Sequence, residues 1–151
     1  MDDADRRLAE IVARKHASDQ KKAAEAEAAA QKAGREKQIA KEVVAQLPGR
    51  KSLMQAVVRE INEQIAPVNM ALVFQDGQPK PPHVAAYTIG VKLDDTLTGF
   101  ELLMNIDAQG VIGGYIQADL MHQPLRVPSL LELREDQFKS VLVEFLDKCV
   151  K

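Results

Sequence analysis

Histidine, serine and the single cysteine are the side chains that could supply nucleophilic or general-base chemistry in this chain. A nucleophile needs a base within hydrogen-bonding reach, and His16 with Ser18 is the one histidine–serine pair that is close in sequence. Both fall in a helical pattern, where residues two apart do not face each other. Cys149 occupies an apolar position of an amphipathic pattern, where cysteine packs as a small hydrophobic residue. We therefore expect no catalytic site and a protein that is not an enzyme.

Metal sites need clustered histidine, cysteine or carboxylate ligands. Asp119 and His122 lie three residues apart, but no second pair of ligands accompanies them. Asp94, Asp95 and Asp107 fall in loops without the spacing of a calcium-binding loop. The chain also has no glycine-rich phosphate-binding motif. We expect neither a bound metal nor a cofactor.

The charge distribution separates the chain into two parts. Residues 1–51 carry 12 Lys+Arg and 9 Asp+Glu, and the remaining residues carry the other 8 and 13 of the totals of 20 and 22. The first part is basic but has no aromatic residue, and its acidic residues are interleaved with the basic ones, which is typical of a solvated face. We therefore do not expect nucleic acid as the partner, although a nucleic-acid accessory role through this basic helix stays open as an alternative.

The sequence also bears on location. One cysteine allows no disulfide within the chain, which fits a reducing compartment. The first residues, MDDADRR, lack the apolar stretch of a secretory signal, and 18 apolar residues nowhere run together. We expect a cytoplasmic protein without a membrane contact.

Residues 84–120 alternate between apolar and polar side chains with a period of two, which predicts strands with one buried face. The runs are separated by short segments at 94–99 and 107–110, the second of which offers Gly110 for a tight hairpin. Residues 70–74 form a further short apolar run, and a strand around 125–127 or a helical turn after Ser129 are alternatives for the segment that follows. These patterns predict an antiparallel meander of about four strands.

The helical patterns complete the predicted fold. Residues 2–47 are rich in Ala, Lys, Glu, Gln and Arg and predict one long helix, which Pro48-Gly49 should end. Ser52 and Gln55 form a capping-box pattern at the start of a second helix that ends before Pro67. Residues 135–150 predict a last amphipathic helix. The expected fold is α+β: an extended helix in residues 1–48, then a two-layer domain in residues 49–151 whose meander is covered by two helices.

The long helix is the feature that suggests a function. At 1.5 Å per residue it would reach about 70 Å, more than the domain that follows can cover. Its alanines at 23, 26, 30 and 33 keep a three-four spacing that suits helix–helix packing. We expect a non-enzymatic interaction or assembly protein whose helix engages a partner protein or a second copy; a small-ligand-binding or enzymatic domain is an alternative. The predicted contact residues are apolar positions of the helix and of the outer sheet face: Leu8, Ile11, Val12, Val43, Val44, Leu47, Leu103, Val111 and Tyr115.

Overall fold

The chain begins with one very long helix. The computed structural model describes residues 2–150, and helix α1 runs over Asp3–Ile65, 63 residues in all. Its start is capped by Asp2, whose carboxylate Oδ1 accepts a hydrogen bond of 2.8 Å from the backbone N–H of Asp5. Asp3 and Asp5 stand in the first turn, where negative charge is favourable against the helix dipole.

The predicted end of this helix at Pro48-Gly49 is wrong, and so is the separate start at Ser52. Pro48 lies inside α1 and has no N–H to donate to the carbonyl four residues earlier. Packing on both sides outweighs this local cost, because Val43 and Met54 are fully buried. The two helices expected around residue 48 are therefore one helix.

The sheet has five strands, where about four were expected. They are β1 (Met70–Asp76), β2 (His83–Leu93), β3 (Thr96–Asp107), β4 (Ile112–Ala118) and β5 (Met121–Arg126). Every neighbouring pair is antiparallel and the order in the sheet follows the chain. Strand β5 tolerates Pro124 because it lies at the edge of the sheet. The strand expected around 125–127 begins earlier, at Met121, and ends at Arg126. The helical turn expected after Ser129 is also present, as a short 3-10 turn at Leu130–Glu132.

The turns explain the register of the meander. Asp94 and Asp95 both have positive φ, 52° and 64°, between the paired residues Leu93 and Thr96, so the β2–β3 connection is a two-residue turn. At the β3–β4 turn Gly110 has φ +84°, as the predicted hairpin requires. The Asp107 carboxylate accepts the N–H groups of residues 109 and 111 at 2.9 and 3.0 Å.

The core lies between one face of the sheet and two helices. Helix α2 spans Glu135–Cys149 and buries Phe138, Val141, Leu142 and Phe145. These side chains join those of α1, such as Val57 and Ile61, in one cluster with the inward residues of all five strands. The α+β class and the antiparallel meander predicted from the sequence are confirmed, and the two covers of the sheet are the end of α1 and helix α2.

The chain divides into two units, Met1–Gln38 and Ile39–Lys151. The described residues of the first unit are almost entirely helix α1, and the second unit contains the rest of α1, the sheet and α2. Within residues 2–150, no helix combines the length and the apolar character needed to cross a membrane.

Candidate interaction surfaces

The first candidate surface is an apolar cluster near the start of α1. Every residue from 2 to 38 is exposed, and Leu8, Ile11 and Val12 keep 60%, 51% and 66% of their surface accessible. Positions 8, 11 and 12 are neighbours on one side of a helix. Three large aliphatic side chains are therefore held together in water; we call Leu8, Ile11 and Val12 the N-terminal cluster.

A second group on the same helix consists of small residues. Ala26, Ala29, Ala30 and Ala33 are all exposed, and we call them the alanine cluster. The spacing from Leu8 to Ala26, from Ile11 to Ala29 and from Val12 to Ala30 is 18 residues, which is five turns at 3.6 residues per turn. The two clusters therefore share one face of the helix. The three-four spacing used in the sequence analysis did not show this relationship.

Charged residues occupy the same face between the two clusters. Lys15, Asp19 and Lys22 follow the three-four spacing that continues from Leu8 and Ile11. The Lys15 Nζ atom lies 2.9 Å from Asp19 Oδ1. Both side chains are well exposed, so this ion pair adds little to stability. The charges along the centre of this face therefore alternate: Lys15 is positive, Asp19 is negative and Lys22 is positive.

The structure separates the three contact residues predicted near residue 45. Val43 is fully buried in the core, where it lies against Gly110 of the β3–β4 turn. Leu47 is half-buried and packs on the same core, whereas Val44 remains 61% exposed. Val43 is therefore committed to the domain's own interior and is not a surface residue, because it faces the sheet in the part of α1 that covers it.

The outer face of the sheet brings together two of its three predicted residues. Leu103 of β3 is directly opposite Tyr115 of β4, and both are partly exposed. Val111 precedes Tyr115 by four residues, which is about 13 Å along a strand, and Gly113 lies between them without a side chain. Val111 is exposed at the hairpin and does not belong to the Leu103–Tyr115 patch.

Strand β5 extends this patch with residues that sequence reasoning missed. Tyr115 is paired with Pro124 and Gln117 with His122, and the Tyr115 and His122 rings lie 4.5 Å apart between centroids. This distance falls within the range of favourable aromatic pairs. The sequence signal for this strand was weak, because Met121 and Leu125 are apolar but Gln123 between them is polar, and Pro124 and Pro128 interrupt the run.

Buried polar groups and clusters of metal ligands are the features that would mark a candidate catalytic or metal site. In residues 2–150 no polar or charged residue is buried, and no group of three or more metal-ligating side chains is present. Burial raises the pKa of the Cys149 thiol to about 11, which leaves it a poor nucleophile at neutral pH. A surface groove of about 650 Å³ runs beside α2, lined by residues that include Arg126, Glu132, Asp136 and Glu144.

One exposed ion pair connects α1 to the first strand. Lys51 Nζ donates a hydrogen bond of 2.8 Å to Asp76 Oδ2, and this bond is the main cause that raises the pKa of Lys51. Tyr87 lies nearby, its pKa raised mainly by burial, and its ring is 5.3 Å from that of Phe74. The lysine stays charged and the tyrosine stays neutral near pH 7, so the arrangement holds structure together and offers no general base.

With this geometry established, the chain can be set beside other proteins. No protein-family model, curated protein or solved structure matches it. The functional argument therefore rests on the surfaces described above.

Proposed function

We propose that this is a non-enzymatic interaction or assembly protein whose N-terminal helix engages another helix, either of a partner protein or of a second copy. The contact is a coiled-coil-like packing of residues 3–38, and the protein acts as an oligomer or as part of a larger assembly. Neither nucleic acid nor a membrane is part of the proposed interaction.

The observation that supports the proposal is the exposure of the N-terminal cluster. Leu8, Ile11 and Val12 gather on one side of a segment in which every side chain is exposed. Burying such a side chain fully contributes about 1.5–3 kcal/mol, and most helix stability in proteins comes from packing of an apolar face. A partner helix would supply that packing.

The outer sheet face is the second contact in the proposal. Leu103, Tyr115 and His122 form an uncovered apolar and aromatic patch near the edge of the sheet. Exposed patches of this kind are typical of interaction sites. Val44 on α1 and Val111 at the β3–β4 hairpin are exposed at separate places and are proposed as minor contacts outside this patch.

The proposed location is the cytoplasm. Cys149 is the single cysteine of the chain and is a free thiol, which suits a reducing compartment. Fractionation of cells that express the protein tests this point, and recovery with periplasmic or secreted proteins would contradict it.

Light scattering coupled to size-exclusion chromatography of the full-length protein tests the main proposal, because it measures the mass in solution. Leu8→Ala, Ile11→Ala and Val12→Ala together remove the large side chains while leaving helix propensity high, because alanine is the best helix former. We expect the unaltered protein to form an assembly and this triple variant to lose it. If the triple variant forms an assembly of the same mass as the unaltered protein, the role of the N-terminal cluster is contradicted.

A matched control changes the opposite side of the same helix. Ala13, Ala17 and Ala24 lie about half a turn away from the N-terminal cluster, so their replacement by serine should leave the assembly intact. Absorbance at 260 nm is recorded in the same run. With no Trp and two Tyr in the chain, bound nucleic acid would dominate that signal and would favour the nucleic-acid alternative.

A further inference from the structure

The exposed face of residues 3–38 is complementary to itself when it is reversed. It carries large aliphatic residues at one end, the N-terminal cluster, and small residues at the other, the alanine cluster. Laying a second copy antiparallel brings the large residues of each helix onto the small residues of the other, at both ends. Large-against-small packing fills an interface without voids.

We propose that residues 3–38 pair with the same segment of a second copy in antiparallel orientation, in the register in which the numbers of facing residues add to 41. The inference rests on the proposed assembly function and selects a second copy as the occupant of the helix face. The facing apolar pairs are Leu8 with Ala33, Ile11 with Ala30, and Val12 with Ala29.

Charge at the centre of the face supports the antiparallel orientation. In this register Asp19 of each copy faces Lys22 of the other, and Lys15 faces Ala26. A parallel pair in register would instead set Lys15, Asp19 and Lys22 each against its own copy, which is repulsive. Charged residues at a helix interface commonly specify orientation in this way. Asp19 can keep its 2.9 Å bond to Lys15, because a carboxylate accepts several hydrogen bonds.

The flanks of the face add one contact between opposite charges on each edge, although Arg7 and Lys32, at the same offset as Arg14 and Glu25, bring like charges together. Residues on one edge of an antiparallel pair meet residues on the same edge of the other helix. Arg14 comes within about two residues, or 3 Å along the axis, of Glu25 of the second copy. On the other edge Asp5 comes within about one residue of Lys37. Each contact occurs twice because the pair is symmetric.

Neighbouring registers are less favourable. A shift of one turn in one direction makes facing numbers add to 37 and sets Lys15 against Lys22. A shift in the other direction makes them add to 45 and sets Leu8 against Lys37. Each shift therefore introduces a like-charge contact or places a lysine on the N-terminal cluster.

Disulfide trapping between full-length chains tests orientation and register. In a Cys149→Ser background, one protein carries Lys15→Cys and the other Ala26→Cys, and the two are mixed in a glutathione redox buffer. In the proposed pair these positions face each other. Two copies of position 15, or two of position 26, are about 16 Å apart along the axis at 1.5 Å per residue, too far for a disulfide.

We expect the mixed 15–26 disulfide to be the main product by mass spectrometry. Dominant 15–15 or 26–26 disulfides would overturn the antiparallel pair while leaving self-association standing. A dimer by light scattering without any of the three disulfides would do the same. A full-length protein that stays monomeric would overturn the inference, and would reduce the proposed function to contact with a different partner.

Charge exchange gives a second test that does not depend on cysteine. Asp19→Lys alone, or Lys22→Asp alone, should raise the dimer Kd by about tenfold, and the double variant should restore it to within about threefold. In a parallel pair each single variant would face like charges just as the unaltered protein does, so neither would raise the Kd in this way. An unrescued double variant in a correctly dimeric, helical protein would contradict the Asp19–Lys22 contact.

Discussion

The guanidinium of Arg50 donates a hydrogen bond to the backbone carbonyl of Leu133, with 3.0 Å between Nη1 and the oxygen. Its other terminal nitrogen donates to the carbonyl of Leu131 at 3.1 Å. Arg50 therefore joins α1, two residues after Pro48, to the segment that follows β5. This contact adds to the burial of Val43 and Met54 in holding the helix together through a sequence that would end it in isolation.

Arg50→Ala should lower the free energy of unfolding by about 2 kcal/mol, because hydrogen bonds from a charged donor contribute about 1.5–3 kcal/mol each and these are only part-buried. Urea denaturation measures the change. Arg59→Ala, at an exposed position of the same helix, is the control and should stay within about 0.5 kcal/mol. Equal midpoints for the two variants would show that the Arg50 contact does not hold the helix in place.

Gly114→Ala should destabilise the protein, whereas Gly113→Ala should not. A Cβ at Gly114 would stand 2.8 Å from the Leu125 carbonyl oxygen and 2.8 Å from Val127 Cγ2, but at Gly113 its nearest neighbour is 3.9 Å away. Overpacking of this kind costs about 1–3 kcal/mol. Thermal unfolding of both variants compares adjacent positions in one strand, and a similar loss for the two would contradict the close β4–β5 approach.

Gly34→Ala should increase the helicity of the N-terminal segment, because no atom lies within 4 Å of the added Cβ and alanine is favoured over glycine in a helix by about 1 kcal/mol. Ellipticity at 222 nm at rising temperature measures this. Gly99→Ala is the control: its Cβ would be equally free, but φ is +85°, so that variant should be destabilised. No gain in helicity from Gly34→Ala would argue against a continuous helix there.

Cys149 should be alkylated far more slowly in the folded protein than after unfolding. Its folded pKa is raised to about 11 from 9.0 by burial, so at pH 8 the reactive thiolate is roughly 100-fold scarcer than for the unfolded thiol. Iodoacetamide labelling with and without urea measures the ratio. Equal rates would contradict the burial of this thiol.

The same shift gives a pH dependence of stability. The unfolded thiol ionises first, near pH 9, so the contribution of Cys149 is constant below that pH and is lost as pH rises from 9 to 11. Cys149→Ser, which does not ionise in this range, should show a smaller decrease over that window. A decrease of the same size in both proteins would assign it to other groups.

Parts of the candidate surfaces were predictable and parts were not. The exposure of Leu8, Ile11 and Val12 was predictable, because the helix segment that carries them is polar on most of its sides and cannot be buried in a domain core. The burial of Val43 beside the less buried Leu47 depends on which side of α1 meets the sheet, and only the folded domain shows that. The Tyr115–His122 contact depends on β5, which local rules disfavour because of Pro124.

What the sequence determined by itself is the class of each long element. Period-two alternation specifies strands in residues 84–118 because successive side chains point to opposite faces. Alanine, lysine and glutamate specify the N-terminal helix because they lose little freedom in it. The tertiary structure alone decided that α1 passes through Pro48 and that a fifth strand completes the sheet. Those outcomes depend on contacts between distant residues, such as Arg50 and Leu133, which are 83 positions apart. Together these contacts outweigh the local preference for a helix break.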